Sequence, residues 1–333
     1  MGVHFFMRRK TSWAMWTTAL AAVAALTGCG AATGGSGGNA AQGTSGAAAS
    51  SSTSFPITMT DDTGTKVTIQ KEPMHIVSGT EGTDEILVSL VPKSRISLVT
   101  NLSSDATYSD VTNLVKGIHQ WSGDDAEQAL AVNPDLVLMA SYAPQKVVNQ
   151  IRSAGVPVYE FNDFTSVAMI EHNIGVIGKL VGEPQKAKAI VNHMNHNIAE
   201  IEHAVAPYGR PTVLDYSSYG YAAGEGTTVN DIIRMAGGKN AAASLNGWAK
   251  ITDEEIVKLN PSVIIDSSDD AAFLKKLASD PALQSVAAVR EHHLYAIDSA
   301  DLSSVSQYVV KGVYDVAKVI HPNAHVPAVQ VLS

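Results

Sequence analysis

Side chains able to grip a solute recur in this chain just behind short apolar runs. Ser78, Gly79, Thr80 and Glu81 come after Ile76-Val77, Asn101 after Ile96-Ser97-Leu98-Val99, and Ser141 and Tyr142 after Leu136-Val137-Leu138-Met139. Farther along, Tyr216, Ser217, Tyr219 and Tyr221 come after Val213-Leu214, and Asp266, Ser267 and Ser268 after Ile265. If the apolar runs are strands of open parallel sheets, these residues stand at strand carboxyl ends, where such sheets bind ligands. Thr80, Glu81, Asn101, Ser141, Tyr142, Tyr219, Tyr221 and Ser268 are therefore candidate ligand-binding residues, with packing as the alternative role for the tyrosines.

Two tryptophans extend the set. Trp121 opens Trp121-Ser122-Gly123 and Trp248 closes Gly247-Trp248, stretches that read as loops rather than as apolar helical stripes. Large flat side chains on loops give a bulky amphipathic ligand contact area at small entropic cost. Both indoles are expected to face ligand; the alternative is that each caps the core of its own lobe.

Covalent and metal chemistry find less support. The chain has no strand-borne G-x-S-x-G elbow, no H-E-x-x-H pair and no phosphate-cradling G-x-x-x-x-G-K loop. His196, Glu200 and His203 share a helical face at i, i+4 and i+7, a spacing able to hold a transition ion. That face lies away from the strand ends, so no catalytic residue and no protein-held metal are assigned.

The amino terminus sets the compartment. Arg8, Arg9 and Lys10 precede an apolar stretch of 14 residues, Trp13 to Leu26, which is short for a bilayer span and reads as a signal peptide. Leu26-Thr27-Gly28-Cys29 contains the only cysteine and looks like a bacterial lipobox, which implies cleavage before Cys29 and lipidation of its thiol. A free thiol behind an ordinary secretory signal is the alternative. Gly30 to Ser54 contains only Gly, Ala, Ser, Thr, Asn and Gln, too polar to bury a core, and as a coil would reach about 25–30 Å. The formal charge of −9 becomes −12 once the three basic signal residues leave, so nucleic acid is not an expected partner.

Short apolar runs alternate with helical patterns along the rest of the chain, the grammar of parallel α/β sheets. His75-Ile76-Val77, Ile96 to Val99, Leu136 to Met139 and Val156 to Tyr159 form one set; Thr212-Val213-Leu214, Val263-Ile264-Ile265 and Leu294 to Ile297 form a second. Between them, Ala187, Ile190, Val191, Met194, Ile198, Ile201 and Val205 recur at three- and four-residue steps after Gly182-Glu183-Pro184. One helix from Pro184 to Ala206 would span roughly 35 Å. The two sets also echo each other: Glu127 and Glu254 each precede an Asn-Pro pair and a strand, and each follows a tryptophan by six residues.

Several stretches together resemble the substrate-binding lipoproteins of ABC importers for iron chelates, haem and cobalamin. They are Thr60-Asp61-Asp62-Thr63-Gly64 with Val67-Thr68-Ile69, Ile76-Val77-Ser78 leading to Thr83-Asp84-Glu85-Ile86-Leu87, and Asn133-Pro134-Asp135-Leu136-Val137. Ala236-Gly237-Gly238-Lys239-Asn240, Trp248 through Pro261, and Ala288-Val289-Arg290 to Asp298 complete the set, which covers about residues 56 to 322.

The resemblance implies an α/β fold of two lobes with mostly parallel sheets joined by one long helix. The expected divisions are a signal peptide at 1–28, a lipid-anchored tether at 29–54, lobes at 55–182 and 208–333, and the joining helix at 183–207. It further implies a ligand held in the interlobe cleft, and a surface glutamate on each lobe meeting arginines of the permease. Glu127 and Glu254 fit that docking role, the alternative being ordinary first-turn acids favoured by the helix dipole.

The expected function is extracytoplasmic capture of a metal chelate and delivery to an ABC permease and its ATPase, by a membrane-anchored monomer with no cofactor of its own. Anionic catecholates and haem propionates usually call for arginine clamps, whereas Arg95, Arg152, Arg210, Arg234 and Arg290 all fall outside the strand-end tips. A ferric hydroxamate or cobalamin is therefore favoured, although Lys146 or Lys250 would weaken that preference. A haem receptor of the same class and an extracytoplasmic hydrolase are the alternatives.

Overall fold

The computed structural model describes residues 54–332. The expected signal peptide, Cys29 and the tether as far as residue 53 lie outside the described residues.

The first lobe starts with an antiparallel hairpin, β1 (Ile57–Thr60) and β2 (Lys66–Ile69). Its main sheet has five parallel strands, β3 (Ile76–Ser78), β4 (Ile96–Thr100), β5 (His119–Trp121), β6 (Leu136–Ala140) and β7 (Val158–Phe161), in the order β5-β4-β3-β6-β7. Four helices accompany it: α1 (Glu81–Leu90), α2 (Ala126–Ala131), α3 (Gln145–Ser153) and α4 (Val167–Leu180). The 22-residue α5 (Pro184–Val205) follows.

The second lobe is built around a parallel sheet of four strands, β8 (Thr212–Asp215), β10 (Lys239–Asn240), β12 (Val263–Ser267) and β13 (Leu294–Ile297), in the order β10-β8-β12-β13. β9 (Tyr221–Ala223) and β11 (Trp248–Lys250) form a separate antiparallel ribbon. Its helices are α6 (Thr228–Met235), α7 (Asp253–Leu259), α8 (Ala271–Ser279), α9 (Ala287–Arg290), α10 (Ser299–Ser303) and α11 (Val309–Ile320).

Alternate residues of each central strand enter different cores, as a sheet buried on both faces requires. Val77, Val137 and Met139 pack outward with Ala129, Val148 and Ile151 of α2 and α3, and Leu214 and Ile264 pack outward with Ile256, Leu274 and Val289. Their neighbours Ile76, Leu136, Leu138, Val213 and Ile265 face inward into one shared core with α1, α4, α5, α6 and α11. That core crosses from lobe to lobe.

The long helix occupies its expected place. Pro184 lies in the first turn, where its fixed φ suits the helix start, and Pro207 follows its end. Gly178 of α4 lets the helix approach, because a Cβ there would collide with Ala187.

A second tie, polar and buried, joins the lobes. Glu85 of α1 accepts hydrogen bonds from the Ser304 hydroxyl (3.2 Å), the Ser306 hydroxyl and the Asp110 backbone N–H (2.8 Å). The Gln307 amide donates to the Glu85 carbonyl (3.0 Å) and to Ser89 Oγ (2.9 Å), and the Lys311 ammonium bridges Asp110 and Asp301. Gly82 makes room for Val305.

The sequence echo has a backbone basis. Asn133 (φ 50°) and Asn260 (φ 44°) both adopt the left-handed conformation between a short helix and a central strand, a state that asparagine tolerates better than most residues.

Replacing Glu85 strands several buried donors at once. Glu85→Leu is expected to cost about 3 kcal/mol or more of unfolding free energy, read from urea midpoints, with Glu85→Gln recovering a large part. A wild-type midpoint for the leucine variant would show that the seam carries no load.

Candidate functional site

The carboxyl ends of the two sheets converge. β3 leads directly into α1, whose Gly82 receives Val305 from the α10–α11 connection, and α10 itself begins just after β13. The Ser299 hydroxyl at the start of α10 pairs with Ser268 Oγ beyond β12 at 2.9 Å. Ser218 N–H, beyond β8, donates to Asp270 at 2.8 Å. Two shallow hollows of ≈ 440 and ≈ 450 Å³ lie at the opposite, amino ends of β4 and β8 and contain none of the candidate ligand residues.

Several candidates are committed to structure. Thr80 is buried as the N-cap of α1, its hydroxyl accepting from Thr83 N–H at 3.2 Å. Ser141 Oγ donates to Asn162 at 2.6 Å. Trp121 differs most from its expected exposure. It ends β5, paired in parallel with Thr100, and only 2% of its surface is accessible. Its indole N–H donates to the Ser78 carbonyl at 2.7 Å, and its ring lies over Gly79, where a Cβ would crowd it. It caps the first lobe's core.

The other aromatic candidates stand in solvent. Tyr142 is 77% exposed and Tyr219 81%, while Trp248 is 49% and Tyr221 37% exposed. Partial desolvation raises the Tyr142 phenol pKa, with the charge of Glu81 adding to the shift. Asn101 is exposed in the 3-10 turn after β4. Glu81 has a carboxyl oxygen, Oε1, buried without a hydrogen-bond partner, and burial followed by repulsion from Glu85 pushes its pKa well up.

Trp248 and Tyr221 share one face of the β9–β11 ribbon. Trp248 pairs with Ala223 and Lys250 with Tyr221, so side-chain alternation puts both rings and the Lys250 ammonium on the same side, opposite the buried Ala222. Gly224 makes the ribbon possible, since a Cβ there would run into the Leu245 carbonyl oxygen.

Two acids stand at the carboxyl end of the second sheet: Asp266, already placed at a strand tip by the sequence, and Asp215, which the sequence reading passed over. Burial pushes Asp215 to about 7, and burial together with neighbouring Asp215 and Asp270 pushes Asp266 to about 8 despite the Ser267 N–H bond. The available signal was an aspartate as the last residue of an apolar run. The five arginines are all engaged elsewhere: Arg95 with Glu72 and Val181 O, Arg152 with Asp61 and Glu160, Arg210 with Gly238 O, Arg234 with Asp231, and Arg290 with Glu291. His196 and Glu200 approach at 3.5 Å, and no group of three metal-ligating side chains is assembled among the described residues.

Comparison with known proteins decides the class. The periplasmic binding protein family model matches residues 76–300. The chain belongs to that family. It is 28% identical over 278 residues to an uncharacterized ABC transporter substrate-binding lipoprotein, YvrC, of Bacillus subtilis, covering 81% of this chain and 87% of that protein. It is 26% identical over 277 residues to a cobalamin-binding protein of Halobacterium salinarum, covering 80% and 75%. The periplasmic heme-binding protein RhuT of Roseiflexus sp. RS-1 shares the fold with a TM-score of 0.66 at 23% identity, covering 74% of this chain and 98% of that one.

A periplasmic binding protein works outside the cytoplasm with a small-molecule ligand and an ABC permease, and it binds rather than transforms, so the hydrolase alternative falls. No helix among the described residues is long and apolar enough to cross a membrane. Glu127 and Glu254 are exposed in the first turns of α2 and α7, equivalent places in the two lobes. A hydrogen bond from its own backbone N–H, followed by one from the Thr252 hydroxyl, lowers the Glu254 pKa.

The buried acids make stability pH-dependent. A folded-state pKa near 7 lies above the unfolded carboxylate value of about 4, so the Asp215 contribution is fully present below about pH 4 and is lost as pH rises toward 7. Asp215→Asn should therefore gain on the wild type in urea midpoint between pH 5 and pH 7. A constant gap across that range would contradict a buried, neutral Asp215.

Proposed function

We propose that this binding protein captures a weakly charged metal chelate, a cobalamin-type corrinoid or a ferric hydroxamate, in the interlobe cleft and delivers it to an ABC permease. The carrying observation is the set of exposed rings on both lobes, Tyr142 beyond β6 on the first, and Tyr219 beyond β8 with Tyr221 and Trp248 on the β9–β11 ribbon of the second. Exposed aromatic faces suit a large ligand with an apolar periphery, and the engagement of every arginine in the described residues argues against a multiply anionic one. The cobalamin-binding relative supports the corrinoid; haem, the ligand of the RhuT neighbour, is the second reading.

Asn101, Ser141, Ser268 and Glu81 complete the polar wall in this reading, and the metal arrives with the ligand, no cofactor being resident. Cys29 carries the lipid anchor, Gly30 to Ser54 is the tether, and the protein acts as a monomer. Glu127 and Glu254 meet the permease from the two lobes, where carboxylates fix register and speed encounter more than they add affinity.

Tryptophan emission reports ligand directly. Titration with cobalamin, haem and ferric hydroxamates should quench emission with at least one, and Trp248→Ala should weaken that ligand by roughly tenfold; unchanged emission and no heat with every chelate would remove the reading. Replacing Glu127 and Glu254 together by alanine should leave affinity unchanged and abolish delivery to the cognate permease in reconstituted vesicles. Transport at the wild-type rate would take these acids out of docking.

A further inference from the structure

The ribbon face that carries Trp248 and Tyr221 also carries a cation. Lys250 Nζ lies 5.3 Å from the centroid of the Tyr221 ring, and among the described residues Lys250 takes part in no ion pair. Trp248 and Lys250 are two residues apart on β11 and therefore on one side of the strand, about 7 Å apart along it. The opposite side carries Ala222 and Ala249; on the side of the rings Ala223 is buried between them, while Tyr221, Trp248 and Lys250 are exposed.

Position and rigidity distinguish this lysine from a solvated surface charge. The ribbon is tied to the second sheet by the Asn240 side-chain amide of β10, which donates to the Ala223 carbonyl at 2.8 Å, and its two strands are extended by Ile251 N–H donating to the Gly220 carbonyl at 3.1 Å, Gly224 N–H to the Gly247 carbonyl at 2.9 Å and Gly247 N–H to the Glu225 carbonyl at 2.7 Å. The Tyr221 ring holds the ammonium by a cation–π contact, which limits the freedom of the flexible lysine stem before any ligand arrives. The arginines being engaged elsewhere, this ammonium is a free cation standing beside an exposed indole.

We propose that Lys250 is a specificity-determining residue: it pairs with a single anionic oxygen group, phosphate or carboxylate, on the rim of a ring ligand whose face lies on Trp248. This inference rests on the proposed function and narrows it to chelates with one negative group within about 7 Å of the stacked face. A corrinoid with its phosphate on a side chain and a porphyrin with a carboxylate arm share that chemistry. A neutral hydroxamate lacks it.

Two pairs of probes separate the sources, cobalamin against the phosphate-free cobinamide, and haem against its dimethyl ester, titrated into the wild-type protein, Lys250→Met and Lys250→Arg. The methionine keeps the apolar stem and removes the charge. Lys250→Met should lose roughly tenfold or more in affinity for the anionic member of the pair that binds, leave the neutral member within about twofold, and flatten the salt dependence of binding. Lys250→Arg should restore most of the loss. A phosphate is identified if the loss appears with cobalamin, a carboxylate if it appears with haem. Wild-type affinity in Lys250→Met, or an equal loss for the neutral member, overturns the proposal while leaving the cleft reading intact. Failure of the wild type to bind any of the probes overturns the proposal, and the cleft reading falls with it only where ferric hydroxamates also fail to bind.

Discussion

Glu85 is buried where the two lobes meet, and the placement of one lobe's strand ends against the other's depends on that join. Its carboxylate takes hydrogen bonds from two serines more than 200 residues downstream, while its own helix packs into a core that both sheets share. A buried acid with several donors is expensive to disrupt from either side, because each group left behind would lose its partner without regaining water. The lobes are therefore held by three elements at once: the long α5, the apolar core around it, and the seam from Glu85 to Lys311. A body tied in this way presents a rim already in place, and a rim in place spares a ligand the entropy of ordering it.

Because stability resides in the join, side chains at the strand ends are free to be poor at stabilising the fold. Trp248 and Tyr219 hold large rings in water, while Trp121, which occupies the matching place in the first half, is buried. The difference lies in pairing. Trp121 ends a parallel edge strand of the main sheet and folds back over Gly79, with the Ser78 carbonyl satisfying its N–H. Trp248 starts a strand that pairs antiparallel with β9 outside the main sheet, and no core lies over it.

Much of the architecture was legible in local pattern. Central strands buried on both faces read as continuous apolar runs, and α5 declares itself by its three- and four-residue steps between Gly182-Glu183-Pro184 and Pro207. What escaped was short or distant. β5, β9 and β11 are three residues each, too few to show a period. The burial of Trp121 depends on a glycine 42 residues earlier, and the seam depends on partners about 220 residues from Glu85, so neither leaves a trace in any window of neighbouring residues. Thr80 stood among the ligand candidates because strand ends and helix starts coincide there; its hydroxyl went to the cap, which a threonine immediately before a helix signals.

The two halves agree on one side and diverge on the other. Left-handed Asn133 and Asn260 turn equivalent helices into equivalent strands, and this places Glu127 and Glu254 alike on the surface. At the strand carboxyl ends the likeness stops: the first half offers Tyr142 and the half-buried Glu81, the second an aromatic ribbon with an ammonium beside its rings. A partner that meets both lobes at once gains from such repetition, because a single spacing between like charges defines its register. A solute lying between the lobes gains from unlike walls, since its two faces differ. In the proposed reading, with the arginines engaged in the fold, the charge such a solute can carry is set by the unpaired groups beside it, and Lys250 on the aromatic ribbon is a cation of that kind.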